Sequence, residues 1–129
     1  MHALILDDEP AMGRVICRVA RGAGLTAEAV SDAANFRIQY ERAQPDIVLL
    51  DLQLGGDDGI AQLHFLAEQH YPHAVVLMSG YDERVLSSAE RLGRDLGLSI
   101  LRSLTKPFGA KELAALFQQL TGSSTHSQA

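Results

Sequence analysis

Four short apolar runs punctuate the chain: Ala3–Leu6, Ile47–Leu50, Val75–Met78, and Ile100–Leu104 with Arg102 and Ser103 interrupting it. Unbroken runs of this length suit strands buried on both faces, as in a parallel sheet covered by helices. A fifth, Thr26–Ser31, alternates around Glu28, the pattern of a strand nearer an edge. Between the runs the period becomes helical. Met12, Val15, Ile16, Val19, Ala20 and Ala23 form one inward stripe, with Pro10 at a tolerated first-turn position and Gly22 and Gly24 as stops. Residues 32–43, 58–69, 82–95 and 110–120 predict four further helices, the last burying Ala110, Leu113, Ala114 and Phe117.

Five strand–helix units in alternation imply right-handed crossovers and a doubly wound α/β fold with a five-stranded parallel sheet. The domain is expected to span 1–121, with the small polar residues Gly122–Ala129 as a tail or the start of a linker. A chain of 129 residues fits one domain with its own core. The formal charge of −5 argues against a surface that coats nucleic acid. The single cysteine, Cys17, has no internal disulfide partner and reads as a small hydrophobe on the first helix. Met1 and His2 lead directly into the first strand, and no apolar run approaches the ~18 residues of a membrane span. These features point to a cytoplasmic protein that binds neither membrane nor, by this domain, nucleic acid.

Ligands of doubly wound sheets bind beyond the carboxyl ends of the strands. There the sequence places Asp7-Asp8-Glu9 after strand 1, Asp51 after strand 3, Ser79 after strand 4 and Thr105-Lys106-Pro107 after strand 5. Singly, each has an ordinary reading: Asp8 as a helix N-cap, Asp51 as a loop start, Ser79-Gly80 as a turn, Lys106-Pro107 as a bend. Combined, they gather three carboxylates, whose repulsion calls for a cation. All-oxygen ligands suit Mg²⁺. A lysine and a hydroxyl nearby suit a phosphoryl group, so the set reads as an aspartyl-phosphate site.

In order and spacing, Asp7-Asp8, Asp51, Ser79 and Lys106-Pro107-Phe108 resemble the receiver domains of response regulators, and Gly59, eight positions after Asp51, is similar to a glycine of that family. The resemblance covers about residues 2–121. It implies a flavodoxin-like (βα)5 fold with strand order 2-1-3-4-5, and a phosphoacceptor switch instead of an enzyme with a separate substrate. Asp51 would take a phosphoryl group from a phosphohistidine on a sensor histidine kinase or a histidine phosphotransfer protein. Mg²⁺ would be held by Asp8, Asp51 and the Gln53 backbone carbonyl, with Asp7 acting through water. Lys106 and Ser79 would bind phosphoryl oxygens, and the Lys106–Pro107 bond would be cis. Lys106 is expected to serve activation more than folding. A C-terminal output domain and a second copy of the chain are further partners that the resemblance admits.

Three departures from the family pattern matter. Gly55, followed by Gly56, stands where proline is typical. Ser103 replaces the usual inward-turning aromatic. Gln53 and Tyr81 occupy the positions two after Asp51 and two after Ser79 that tune dephosphorylation. Because serine cannot fill the space of an aromatic, the switch is expected to run through Tyr81 and the fourth helix, with Ser103 silent.

Other signals carry less. Gly22–Ala27 matches G-x-G-x-x-A in the reverse of its dinucleotide-binding context. Asp51–Gln62 lacks the glutamate that closes a calcium loop. His64, His70 and His73 read as solvated surface. Arg14, Arg18 and Arg21 share a face of helix 1, either solvated or steering an acidic partner. A rival reading is an Mg²⁺-dependent phosphatase or phosphotransferase with an aspartate nucleophile; haloacid-dehalogenase-type phosphatases, however, carry D-x-D after strand 1, whereas here the pair is adjacent and Asp51 stands alone. A flavodoxin-like electron carrier lacks its phosphate-cradling loop here. The stretch Gly97–Pro107 is similar to receivers that precede EAL-type cyclic-di-GMP phosphodiesterase domains, which makes regulation of such a domain one output reading.

Overall fold

The computed structural model describes residues 1–54, 58–80 and 83–126. Strands β1 (His2–Leu6), β2 (Thr26–Val30), β3 (Ile47–Asp51), β4 (Ala74–Ser79) and β5 (Ser99–Thr105) alternate with helices α1 (Pro10–Gly22), α2 (Ala33–Ala43), α3 (Asp58–Glu68), α4 (Glu83–Asp95) and α5 (Ala110–His126). All strand pairs are parallel, in the order β2-β1-β3-β4-β5. The expected doubly wound sheet is the one observed.

The long apolar runs are buried because both faces of the sheet are covered. Leu4, Leu6, Val48, Leu50, Val75 and Leu77 point to one side, against Phe36, Leu63, Leu66 and Leu86 from α2, α3 and α4. Ala3, Ile5, Ile47, Leu49, Val76 and Met78 point to the other, against Ile16, Leu113, Leu116 and Phe117 from α1 and α5. This period-2 split along each strand sends the four apolar side chains of β3, Ile47–Leu50, alternately into one core and the other. β2, at the edge, carries the mixed pattern expected around Glu28.

Two helical stripes differ in detail from the expected ones. Val15 is 41% exposed, and the inward face of α1 is instead Gly13, Ile16, Cys17 and Ala20. Gly13 makes that possible: a Cβ there would lie 2.8 Å from that of Ala29, so the missing side chain lets α1 close on β2. On α5, Ala110 is exposed and Leu116 joins Leu113 and Phe117 in the core. The helix also continues past Leu120 to His126, into the expected tail, and Thr121 Oγ1 donates back to the Phe117 carbonyl at 3.1 Å. At the opposite edge the β4–β5 register shifts, pairing Val75 with Ile100 but Val76 with Arg102, so Leu101 is the extra residue. That shift accounts for the interrupted apolar pattern of β5.

Candidate functional site

The carboxyl ends of β1, β3 and β4 are adjacent because those strands are adjacent, and the turn after β5 reaches over them. Asp51 ends β3 in register with Met78, which places Ser79 one residue beyond it on β4. Ser79 in turn pairs with Thr105, and its carbonyl accepts the Lys106 N–H at 2.8 Å. Lys106 thereby starts its reach from a fixed backbone point. The Lys106–Pro107 bond is cis, as the resemblance implies.

From there Lys106 Nζ donates to Asp7 Oδ2 at 2.9 Å and to Asp51 Oδ2 at 3.2 Å, and lies 3.6 Å from Glu9 Oε1. Asp7, Asp51 and Ser79 are almost fully buried, whereas Asp8 is exposed. Ligand oxygens of Asp7, Asp8 and Asp51 all lie within 4.8 Å of one another. Asp8 does not cap α1: the N-cap residue is Glu9, without a side-chain cap bond, and Glu9 N–H goes to Asp7 Oδ1 at 2.9 Å. Asp7 thus has both oxygens engaged. Gln53 N–H donates to Asp51 Oδ1 at 2.9 Å, and Gln53 Oε1 accepts the Gly80 N–H at 2.7 Å.

Gly59, singled out by its spacing from Asp51, has a packing role. A Cβ there would fall 2.5 Å from Leu52 Cα, so only glycine lets the start of α3 lie against the chain leaving Asp51.

The electrostatics follow from these contacts. Burial, with Asp7 beside it, pushes the Asp51 carboxyl up to about 6 against the pull of the Gln53 N–H and Lys106. Burial works to lower Lys106, but its hydrogen bonds and charge pairing with Asp7 and Asp51 outweigh it and hold the ammonium above its ordinary range. Three carboxylates facing one lysine leave an excess of negative charge in a cavity of about 440 Å³ open to solvent, lined by Asp8, Asp51, Gln53, Gly80 and Lys106. An all-oxygen donor set with unbalanced charge fits a hard divalent cation.

The structure therefore brings together Asp7, Asp8, Asp51, Gln53, Ser79 and Lys106. Gly55, Gly56 and Tyr81 lie outside the described residues. Sequence reasoning missed two contacts. One is the Gln53–Gly80 bond, whose only signal was an amide side chain two residues after Asp51. The other is the Ser103 hydroxyl donating to Glu90 Oε2 on α4 at 2.5 Å, a long-range pair with no local signature. His64, His70 and His73 are exposed, as expected. Arg14, Arg18 and Arg21 line a groove of about 680 Å³ beside α1.

Residues 3–118 match the family described as the response regulator receiver domain. Among curated relatives, the chain is 29% identical over 117 residues to the positive alginate biosynthesis regulatory protein of Pseudomonas aeruginosa, covering 88% of this chain and 44% of that protein. It is 30% identical over 118 residues to the cyclic di-GMP phosphodiesterase RocR of the same species, covering 90% and 30%. The chain thus spans less than half the length of these curated relatives. A solved response regulator from Colwellia psychrerythraea superposes with a TM-score of 0.82 at 30% identity, over 94% of this chain and 96% of that one.

Proposed function

The chain belongs to the response-regulator receiver family, and from that premise we propose that its switch is the transfer of a phosphoryl group from a phosphohistidine to Asp51. The observation that carries this reading is the Asp51 carboxylate, buried at the end of a central strand, bonded to Lys106 and open to a cavity rimmed by Asp8. A lone pair of an Asp51 oxygen forms the new O–P bond as the N–P bond of the donor breaks, and its electrons return to the imidazole. Lys106 is poised to meet a phosphoryl oxygen, and Ser79, next to Asp51 in the sheet, is the hydroxyl assigned to another. Water attacking the same phosphorus breaks the Asp51 O–P bond, which releases inorganic phosphate and returns the carboxylate.

Receiver domains bind Mg²⁺ at this acidic pocket. Here Asp8, Asp51 and the Gln53 backbone carbonyl would hold it. Asp7 is assigned a role through water, because Lys106 and the Glu9 N–H already engage its two oxygens. Bound there, the ion neutralises charge on the phosphoryl oxygens.

Receivers are generally signalling modules that meet histidine kinases and output domains. On this reading the only chemistry of the domain is its own phosphorylation and dephosphorylation. The exposed arginines of α1, beside the site, suit an acidic kinase or phosphotransfer partner. No helix among the described residues is long and apolar enough to cross a membrane, which accords with a cytoplasmic module. We take 1–121 as the receiver unit, with 122–129 assigned as a tail or the start of a linker. Output is assigned to other segments or proteins, regulation of a cyclic-di-GMP phosphodiesterase domain among the options, since RocR carries that activity in its name.

Treatment with acetyl phosphate and Mg²⁺ should yield an acid-labile phosphoprotein that Asp51→Asn abolishes, and Asp8→Ala should weaken Mg²⁺ binding. Full phosphorylation of Asp51→Asn, mapped by mass spectrometry to another aspartate, would overturn the assignment.

A further inference from the structure

Gln53 sits in a turn fixed by its own N–H, which donates to Asp51 Oδ1 at 2.9 Å. That turn carries the side chain across to the end of β4, where Oε1 accepts the Gly80 N–H at 2.7 Å. Gly80 lines the same cavity as Asp51 and Lys106. It lies close to both residues: a Cβ on Gly80 would stand in ordinary van der Waals contact, 3.4 Å from Gln53 Oε1 and 3.6 Å from Lys106 Cβ. A phosphoryl group on Asp51 presents three charged oxygens to this cavity. Backbone N–H groups aimed at such oxygens are the donors that stabilise them. The Gly80 N–H is therefore a donor of the site that a side chain already holds.

We propose that the Gln53 carboxamide is a gate: it occupies the Gly80 N–H in the resting domain and has to release it before a phosphoryl oxygen can take its place. Gln53 is then a positioning residue for the phosphoacceptor reaction, and the inference rests on the reading of Asp51 given above. Relative strengths set the direction. A charged phosphoryl oxygen is roughly twice as good an acceptor as a neutral amide oxygen, so it wins the donor, but against a competitor that water alone would not provide. The gate lowers the affinity of the site for any phosphoryl group and, by the same contact, keeps the ends of β3 and β4 tied until one arrives.

Two measurements on the whole chain test this separately. The first is amide hydrogen exchange at Gly80 without any ligand. Exchange should be slow in the natural protein, at least several-fold faster in Gln53→Met and Gln53→Ala, and slow again in Gln53→Glu, which keeps an acceptor oxygen. The second is titration with beryllofluoride at saturating Mg²⁺, followed by NMR. Gln53→Met, close in size but without an acceptor, should bind about three- to tenfold more tightly than the natural protein, the range expected when one neutral hydrogen bond no longer competes. The gate is wrong if Gly80 exchanges alike in all four proteins, or if Gln53→Met and Gln53→Ala bind beryllofluoride no better than the natural chain. If the natural chain itself binds none, the reading of Asp51 as phosphoacceptor fails, while the exchange data still judge the Gln53–Gly80 bond on its own.

Discussion

Strands β3 and β5 are two positions apart in one sheet and live under different rules. β3 is central, and all five of its residues, Asp51 included, are buried. β5 is an edge strand in which only Ile100 and Leu104 are buried, and its register against β4 slips once. At the centre, a polar group survives only if other groups compensate its charge: Asp51 has Lys106 and the Gln53 N–H. At the edge, Ser103 and Arg102 sit among apolar neighbours at little cost because water reaches them. The chemistry of this domain is concentrated where polar groups are most expensive to bury.

The largest consequence falls on Lys106, which leaves the edge strand and supplies the cation for the centre. The sequence alone suggested that it serves activation more than folding. Its bonds to Asp7 and Asp51, both almost fully buried, add a load on the fold to that expected role. Lys106→Ala leaves two carboxylates buried without their cation, which should cost about 2–4 kcal/mol at pH 7.5 in a chelator, on the order of a 10 °C fall in midpoint. Acidification should recover part of the loss as Asp51, whose carboxyl is already pushed up by burial, takes up a proton. A midpoint within two degrees or so of the natural protein would show that the centre tolerates bare charge after all.

Asp51→Asn should shift stability the other way. The carboxyl protonates at about 6 in the folded chain, well above its ordinary 3.8. A carboxyl with a raised folded-state value favours the fold when protonated and opposes it when ionised. The penalty is absent below pH 4, grows between about pH 4 and pH 6, and is constant above. Metal-free Asp51→Asn should therefore be more stable than the natural domain by about 1–3 kcal/mol at pH 7.5, and the two should converge near pH 4. Chemical denaturation at both values measures it. A gain that persists undiminished at pH 4 would assign it to something other than charge.

The same contrast explains what could be read from the sequence. The central strands were legible because burial on both faces leaves continuous apolar runs, and the site was legible because short loops hold Asp7, Asp51, Ser79 and Lys106 at strand ends. What was not legible depended on who meets whom. Val15 looks like its apolar neighbours on α1, yet the position of β2 and the bare backbone of Gly13 turn the helix so that it is exposed. The Gln53–Gly80 bond spans 27 positions, and no pattern in either segment announces it. The register slip that sets Leu101 aside is likewise a property of the pair of strands, not of β5.

Ser103 is the smallest and most discriminating case. Judged by side-chain volume it should be silent, because a hydroxymethyl group cannot fill the space of an aromatic ring, and the route to α4 was expected to pass through Tyr81, which lies outside the described residues. The structure gives Ser103 a different means: its hydroxyl donates to Glu90 Oε2 on α4 across a half-buried gap. A hydrogen bond to a carboxylate has direction where an apolar contact has area, so it can hold a helix by orientation without filling a cavity. Ser103→Ala should then cost only about 0.5–1 kcal/mol, since the freed carboxylate is partly solvated. It should nevertheless displace the amide resonances of Glu90 and its neighbours on α4 in the unphosphorylated protein, and change how far they move on addition of beryllofluoride. If α4 in Ser103→Ala is superimposable on that of the natural domain in both states, the bond is incidental and the edge strand takes no part in the switch. If instead the resting spectrum moves and the response shrinks, the edge relays what the centre receives, by a polar pin in place of a ring.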